Sequence, residues 1–106
     1  MQQISATELK QLIDSEKTSP LLLDVRETQE FNFCHIEGSQ LMPMQSVPAR
    51  INELDKEQHI VTICHHGMRS QQVAQFLLQN GFNNITNLSG GVNAWANEVD
   101  LDMPHY

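Results

Sequence analysis

Ile60-Val61-Thr62-Ile63-Cys64-His65-His66-Gly67-Met68-Arg69-Ser70 is the stretch that decides the fold. Its first four residues are dense in β-branched side chains, the pattern of a short buried strand. From Ser70 to Gln79 the apolar residues Val73, Ala74, Leu77 and Leu78 fall on one helical face. A strand therefore passes into a helix through six residues that begin with a thiol and end with a guanidinium. A turn of this kind aims several backbone N–H groups at one point, and the helix N-terminus behind it adds about half a positive charge. Every dipole near Cys64 then favours its thiolate, and Arg69 with the imidazoles of His65 and His66 deepens the positive field. A cation in the first helical turn opposes the helix dipole by a few tenths of a kcal/mol, so Arg69 points to an anion close by. A cysteine ending an apolar strand is often an inert core residue. Here the joint presence of Gly67, Arg69 and the strand-to-helix junction marks a cradle for a nucleophilic sulfur and a small anion.

Working outward, short apolar runs alternate with helical segments. Ser5-Ala6-Thr7-Glu8 has the Ser-x-x-Glu spacing of a capping box, and Leu9, Leu12 and Ile13 continue a helix over residues 6–15. Glu16 to Pro20 is a polar connection. Leu21-Leu22-Leu23-Asp24-Val25 suits a strand buried on both faces, and Thr28 to Phe33 a short helix. His35 to Ser39 is a turn, and Gln40-Leu41-Met42 a brief strand stopped by Pro43. Ser46 offers an N-cap with Pro48 in the first turn, and Val47, Ile51 and Leu54 give that helix its apolar face. Asn80-Gly81 stops the helix that follows the cysteine loop. Asn84 to Leu88 is a further strand. Ser89-Gly90-Gly91 then turns into a last helix carrying Val92, Ala94, Trp95 and Val99, and residues 100–106 show no clear structure. Such alternation predicts a parallel sheet covered by helices, with right-handed crossovers. Ligands of open α/β sheets sit beyond the carboxyl ends of the strands, where Asp24-Val25-Arg26 and Cys64 both fall.

The 106 residues fit one domain. The formal charge of -7, from 13 acidic against 6 basic residues, argues against binding nucleic acid or an anionic membrane surface. Met1-Gln2-Gln3-Ile4 does not open a secretory leader, and no apolar run approaches the roughly 20 residues of a membrane span. Two cysteines do not make a disulfide scaffold, so a cytoplasmic protein with reduced thiols is expected.

Four segments in series resemble the rhodanese-like single-domain sulfurtransferases. Leu23-Asp24-Val25-Arg26-Glu27 with Glu30-Phe31 is similar to the family's Asp-Val-Arg-x-x-x-Glu-Phe, and His35-Ile36-Glu37-Gly38-Ser39 with Met42-Pro43 to its His-Ile-x-Gly-Ala and Ile-Pro region. Cys64 to Ser70 is similar to its active-site loop, and Leu88-Ser89-Gly90-Gly91-Val92 with Ala94-Trp95 to its Leu-x-Gly-Gly-x-x-x-Trp stretch. The resemblance implies a single rhodanese-like α/β domain over residues 1–106, its five-stranded parallel sheet flanked by helices on both faces. It implies Cys64 as the sulfur-accepting residue, with His65, His66, Gly67, Met68, Arg69 and Ser70 holding the substrate. Asp24 and Arg26 would brace the fold beneath the site, the alternative being a plain surface ion pair. Gly90 and Gly91 would serve a tight turn, and Trp95 the core. Two residues depart from the pattern: Cys34 stands where the family has glycine, and Ser39 where it has alanine. Cys34 raises the question of a second functional thiol; a small core residue that happens to fit is the simpler account.

The activity so implied is transfer of sulfane sulfur from thiosulfate or a persulfide, through a Cys64 persulfide, to cyanide or a thiol acceptor, which can be a protein thiol. It needs no metal and no organic cofactor. Three other readings compete. A phosphatase or arsenate reductase shares the Cys…Arg design but with Cys-x5-Arg spacing, whereas Cys64 and Arg69 have four residues between them. A non-catalytic binding or sulfur-relay module would pass sulfur only between proteins. A metal site from Cys34, His35, Cys64, His65 and His66 is disfavoured, because adjacent histidines in one loop point apart.

Overall fold

The computed structural model describes residues 1–15 and 19–106. Its centre is one parallel sheet of five strands: β1 (Gln2–Ile4), β2 (Leu21–Asp24), β3 (Gln40–Leu41), β4 (Ile60–Ile63) and β5 (Ile85–Leu88). The spatial order is β1-β5-β4-β2-β3, so β4 lies in the middle. Its register with β2 runs from Leu21↔Ile60 to Asp24↔Ile63, and with β5 from Ile60↔Ile85 to Thr62↔Asn87. All four β4 residues are buried, which is why that run carries no polar alternation.

The helices are α1 (Ala6–Asp14), α2 (Thr28–Phe33), α3 (Val47–Arg50), α4 (Met68–Gln79) and α5 (Gly91–Glu98). One face of the sheet packs against α1 and α5 around Leu9, Val61, Ile63, Leu88, Val92 and Trp95. The other packs against α3 and α4 around Leu23, Ile60, Val73, Leu77, Phe82 and Ile85. Cys64 belongs to the second core and Cys34 to the first. The sheet is thus covered on both sides, as the alternating sequence pattern requires.

Local chemistry sets most element ends. The Ser5 hydroxyl accepts the Glu8 N–H at 3.2 Å, and Glu8 Oε1 accepts the Ser5 N–H at 2.9 Å, so the capping box starts α1 as expected. The expected connection from Glu16 to Pro20 lies partly outside the described residues. Helix α4 stops at Gly81, whose φ of 89° is left-handed, while Phe82 N–H returns to Leu77 O at 3.1 Å. Ser46 does not cap α3; its hydroxyl donates to Pro43 O at 2.7 Å, and α3 is a single turn flanked by 3-10 turns at residues 44–46 and 51–53.

Two features depart from the sequence reading. Strand β1 was not expected, because Gln2 and Gln3 are exposed at the sheet edge and show no apolar pattern. Residues 100–106 are also structured: Met103 is buried, and the chain returns to place Tyr106 against the cysteine loop. Among the described residues no helix is long and apolar enough to cross a membrane.

Asp24 and Arg26 form a wholly buried pair at the end of β2, not a surface one. Arg26 Nη2 and Nε donate to the Asp24 carboxylate at 2.7 and 2.9 Å, and Nη2 also donates to Cys34 O at 2.7 Å. The two charges tie α2 and the segment after it to the end of the strand.

Candidate active site: the Cys64 loop

Cys64 ends the central strand, and its residue is only 1% exposed. The Gly67 N–H donates to Sγ at 3.0 Å, closing the loop back on the sulfur. Ser70 Oγ lies 3.3 Å from Sγ and 2.5 Å from Asn87 Oδ1. Its single proton serves the amide oxygen or a charged sulfur, one at a time. Asn87 is itself fixed, since Nδ2 donates to Gln3 Oε1 at 3.0 Å and to Gly67 O at 3.1 Å. Neither Asn87 nor Gln3 stands out in the sequence, because each reads as an ordinary strand residue.

The loop's amides are oriented by α5. Val92 and Asn93 N–H groups donate to the carbonyls of Cys64 and His65 at 2.9 and 3.0 Å. In a trans peptide the N–H points opposite its carbonyl, so the His65 and His66 N–H groups face away from α5, into the loop. Met68, Arg69 and Ser70 open α4 and bring first-turn N–H groups that no helical carbonyl can accept. Helix α4 starts two residues earlier than its apolar spacing suggests, because Gly67 takes φ 104° and turns the chain directly into it. With the Gly67 N–H on Sγ, these first-turn N–H groups make the loop a candidate nest for one anionic atom.

Glycine is obligatory where α5 meets the loop. Gly91 has φ 62°, and a Cβ there would lie 2.3 Å from His65 O and 2.5 Å from Cys64 O. Gly91→Ala should destabilise the protein by about 1–3 kcal/mol through backbone strain alone. It should also displace the two carbonyls that orient the loop. The check is a denaturation curve together with the alkylation rate of Cys64. Parent-like values for both would show that the loop tolerates a methyl group there.

Arg69 does meet an anion, but one supplied by the chain itself. Its Nη1 and Nη2 donate to Glu30 Oε1 and Oε2 at 2.8 and 3.0 Å, a two-pronged ion pair. Tyr106 Oη donates to Glu30 Oε2 at 3.0 Å and accepts from Arg26 Nη1 at 2.7 Å. The Tyr106 ring stacks on His65 at 3.9 Å between centroids, and His65 lies 4.0 Å from His66. Burial, with His66 next to it, pushes the His65 pKa below its usual range and so favours the neutral ring. His66 and Met68 are exposed, and Met68 offers the loop its backbone rather than its side chain. Among the described residues no cluster of three or more His, Cys, Asp or Glu side chains is placed to hold a metal ion.

The Arg69 ion pair, against the opposing effect of burial, holds the Glu30 carboxyl at about 2. A carboxylate depressed in the folded state stabilises that state above its unfolded pKa and loses the contribution as pH falls through the folded value. Stability should therefore decline between about pH 4.5 and about 2 partly through Glu30. In Glu30→Gln that part of the acid limb should flatten, read as melting temperature against pH. An unchanged acid limb would exclude the ion pair from the pH dependence.

The structure thus brings Gly67 and Ser70 onto Cys64, turns Arg69 to Glu30, and links the Asp24–Arg26 pair to Glu30 through Tyr106. Glu30, Asn87 and Tyr106 are additions from distant parts of the chain. Comparison with known proteins agrees on one family. The sequence pattern of the Rhodanese-like domain matches residues 5–98. The chain is 33% identical over 92 residues to the thiosulfate sulfurtransferase GlpE of Shewanella oneidensis, covering 87% of this chain and 89% of that protein. It is 36% identical over 98 residues to the putative sulfur carrier protein YrkF of Bacillus subtilis, covering 92% of this chain and 52% of that protein, so it spans about half of that relative's length. The crystal structure of a rhodanese-like domain protein from Staphylococcus aureus superposes with a TM-score of 0.85 at 31% identity, covering 93% of this chain and 95% of that one.

Proposed function

Because the chain belongs to the rhodanese-like domain family, a family of sulfurtransferases, we propose that it moves sulfane sulfur through a persulfide on Cys64. The observation that carries this reading is the thiol at the focus of the loop, with Gly67 N–H and Ser70 Oγ on its sulfur. In the first step Cys64 thiolate attacks the outer sulfur of the donor. With thiosulfate, a new S–S bond forms to Cys64, the old one breaks, and sulfite leaves with the electron pair. The terminal sulfur carries negative charge and occupies the nest of N–H groups. In the second step an acceptor thiolate or cyanide attacks that outer sulfur, and Cys64 leaves as the thiolate. Asp24 and Arg26 brace the floor, and residues 1–106 act as one domain.

The loop length separates this chemistry from phosphoryl transfer. With four residues between Cys64 and Arg69, the loop is one residue shorter than a Cys-x5-Arg loop and suits a single atom. A phosphoryl group with three equatorial oxygens needs a wider ring, and a misplacement of about 1 Å costs roughly a hundredfold in rate. The expected result is sulfurtransferase activity with thiosulfate or a persulfide and none of consequence with aryl phosphates. Aryl-phosphatase turnover equal to sulfur transfer would refute the reading. The likeness to a protein named as a sulfur carrier supports a second reading, relay between protein thiols. It is separated from the first by intact mass: a relay module gains sulfur from a persulfidated protein and not from thiosulfate.

A further inference from the structure

Arg69 is the one cation of the loop, and its charge is already met by a carboxylate of the chain itself. Each of its terminal nitrogens donates one N–H to Glu30, in a two-pronged ion pair. Glu30 is itself held by four hydrogen bonds. Oε1 also accepts the Glu27 N–H at 3.0 Å, and Oε2 also accepts the Tyr106 hydroxyl at 3.0 Å. Its side chain is 18% exposed against 35% for Arg69, so the carboxylate sits deeper than the guanidinium that it neutralises. Tyr106 Oη is fixed in turn by Arg26, and Arg26 by Asp24. The charged groups of this network are two guanidiniums and two carboxylates, which cancel. The rest of the chain is acidic, with a formal charge of -7.

Resting on the sulfur-transfer reading above, we infer that Glu30 is the residue that selects the donor by charge. It turns the Cys64 site towards sulfane donors carrying one negative charge or none, such as a persulfide borne on a thiol, and away from the thiosulfate dianion. The amide nest accommodates one anionic sulfur. The sulfonate end of thiosulfate lies outside the nest, where it would look to Arg69 for its charge partner. There it meets a guanidinium already paired and a carboxylate of its own sign within a few ångströms. A persulfide brings no second anionic group and meets no such opposition. Glu30 touches neither Cys64 nor the transferred sulfur; it acts through Arg69.

The test compares two alkylating agents of similar size and opposite charge behaviour, iodoacetate and neutral iodoacetamide, on Cys64 of the full chain. Glu30→Gln keeps the shape and removes the charge. It should raise the ratio of iodoacetate to iodoacetamide rates by about tenfold, the scale of local electrostatic effects on the encounter of charged ligands. The iodoacetamide rate itself should change by less than about twofold. Thiosulfate kcat/KM should rise by a similar factor to the ratio, chiefly through KM. A second pair of variants gives the same information without relying on Glu30→Gln alone. Arg69→Ala uncovers the carboxylate, so Glu30→Gln/Arg69→Ala should take iodoacetate faster than Arg69→Ala does. An unchanged or lower ratio in a folded Glu30→Gln protein, or no gain in the double variant over the single one, overturns the inference. If the alkylation ratios behave as stated but no donor adds sulfur to Cys64, the charge selection stands and the sulfur-transfer reading falls.

Discussion

Replacing Cys64 by serine should leave a protein that unfolds like the parent and takes up no sulfur from thiosulfate or any persulfide. The side chain is buried and small, and a hydroxyl can accept the Gly67 N–H that Sγ accepts at 3.0 Å, so the loop retains its closing contact. On the proposed mechanism, what vanishes is the nucleophile, and with it the covalent intermediate that divides one transfer into two. Turnover should fall to the uncatalysed level, measured as sulfite release and as intact mass before and after a reductant. The control is Cys34→Ala. Cys34 lies in the core on the other face of the sheet, and its structural contact with Arg26 runs through its backbone carbonyl, which alanine keeps. That variant should work at close to the parent rate. Sulfur uptake by Cys64→Ser would place the chemistry on another residue.

The largest stability effect is expected from Asp24→Ala. Both side chains of the Asp24–Arg26 pair are fully covered, and removing the carboxylate leaves a guanidinium buried with only neutral acceptors: Cys34 O, Glu30 O and Tyr106 Oη. Breaking a buried pair in this way costs about 3–5 kcal/mol, a large share of the roughly 5–15 kcal/mol that holds a typical domain together. Urea denaturation should show that loss at an unchanged dependence on denaturant. Removing both charges, as Asp24→Leu/Arg26→Met, should recover much of it, because no lone charge remains inside. A loss below about 1 kcal/mol in the single variant would mean that water reaches the pair, as at an exposed ion pair.

How far the fold can be read from the sequence depends on whether a signal is local. The β4 run, the capping box at Ser5 and the αL stop at Gly81 all act within a few residues, and all three were legible. Strand β1 was not, because an exposed edge strand such as Gln2-Gln3 carries no apolar alternation and exists only by pairing with β5. The start of α4 was missed by two residues because φ at Gly67, not the apolar face, sets it. Within the candidate site, Cys64, Gly67, Arg69 and Ser70 lie in one short stretch, so the sequence singles them out together. Glu30 lies 39 positions from Arg69, and Tyr106 lies 76 from Glu30; neither separation leaves a periodic trace. The one usable clue was the wrong-way charge of Arg69 at a helix N-terminus. It pointed correctly to an anion, which the fold supplies from α2.

The grip of α5 on the loop has a consequence in time. The carbonyls of Cys64 and His65 are held by amides that come 28 positions later in the chain, at Val92 and Asn93. Strand β1, made before β5, waits for it, since Gln2 pairs with Thr86. A polypeptide growing on the ribosome therefore exposes Cys64 well before it can build the nest around it, and contacts of such long range are the slow ones to form. Until Gly91 to Asn93 dock, Cys64 is a thiol without its cradle. The loop that surrounds Cys64 and the finished fold arrive together, so on the proposed function an incomplete or misassembled chain would not take up sulfur.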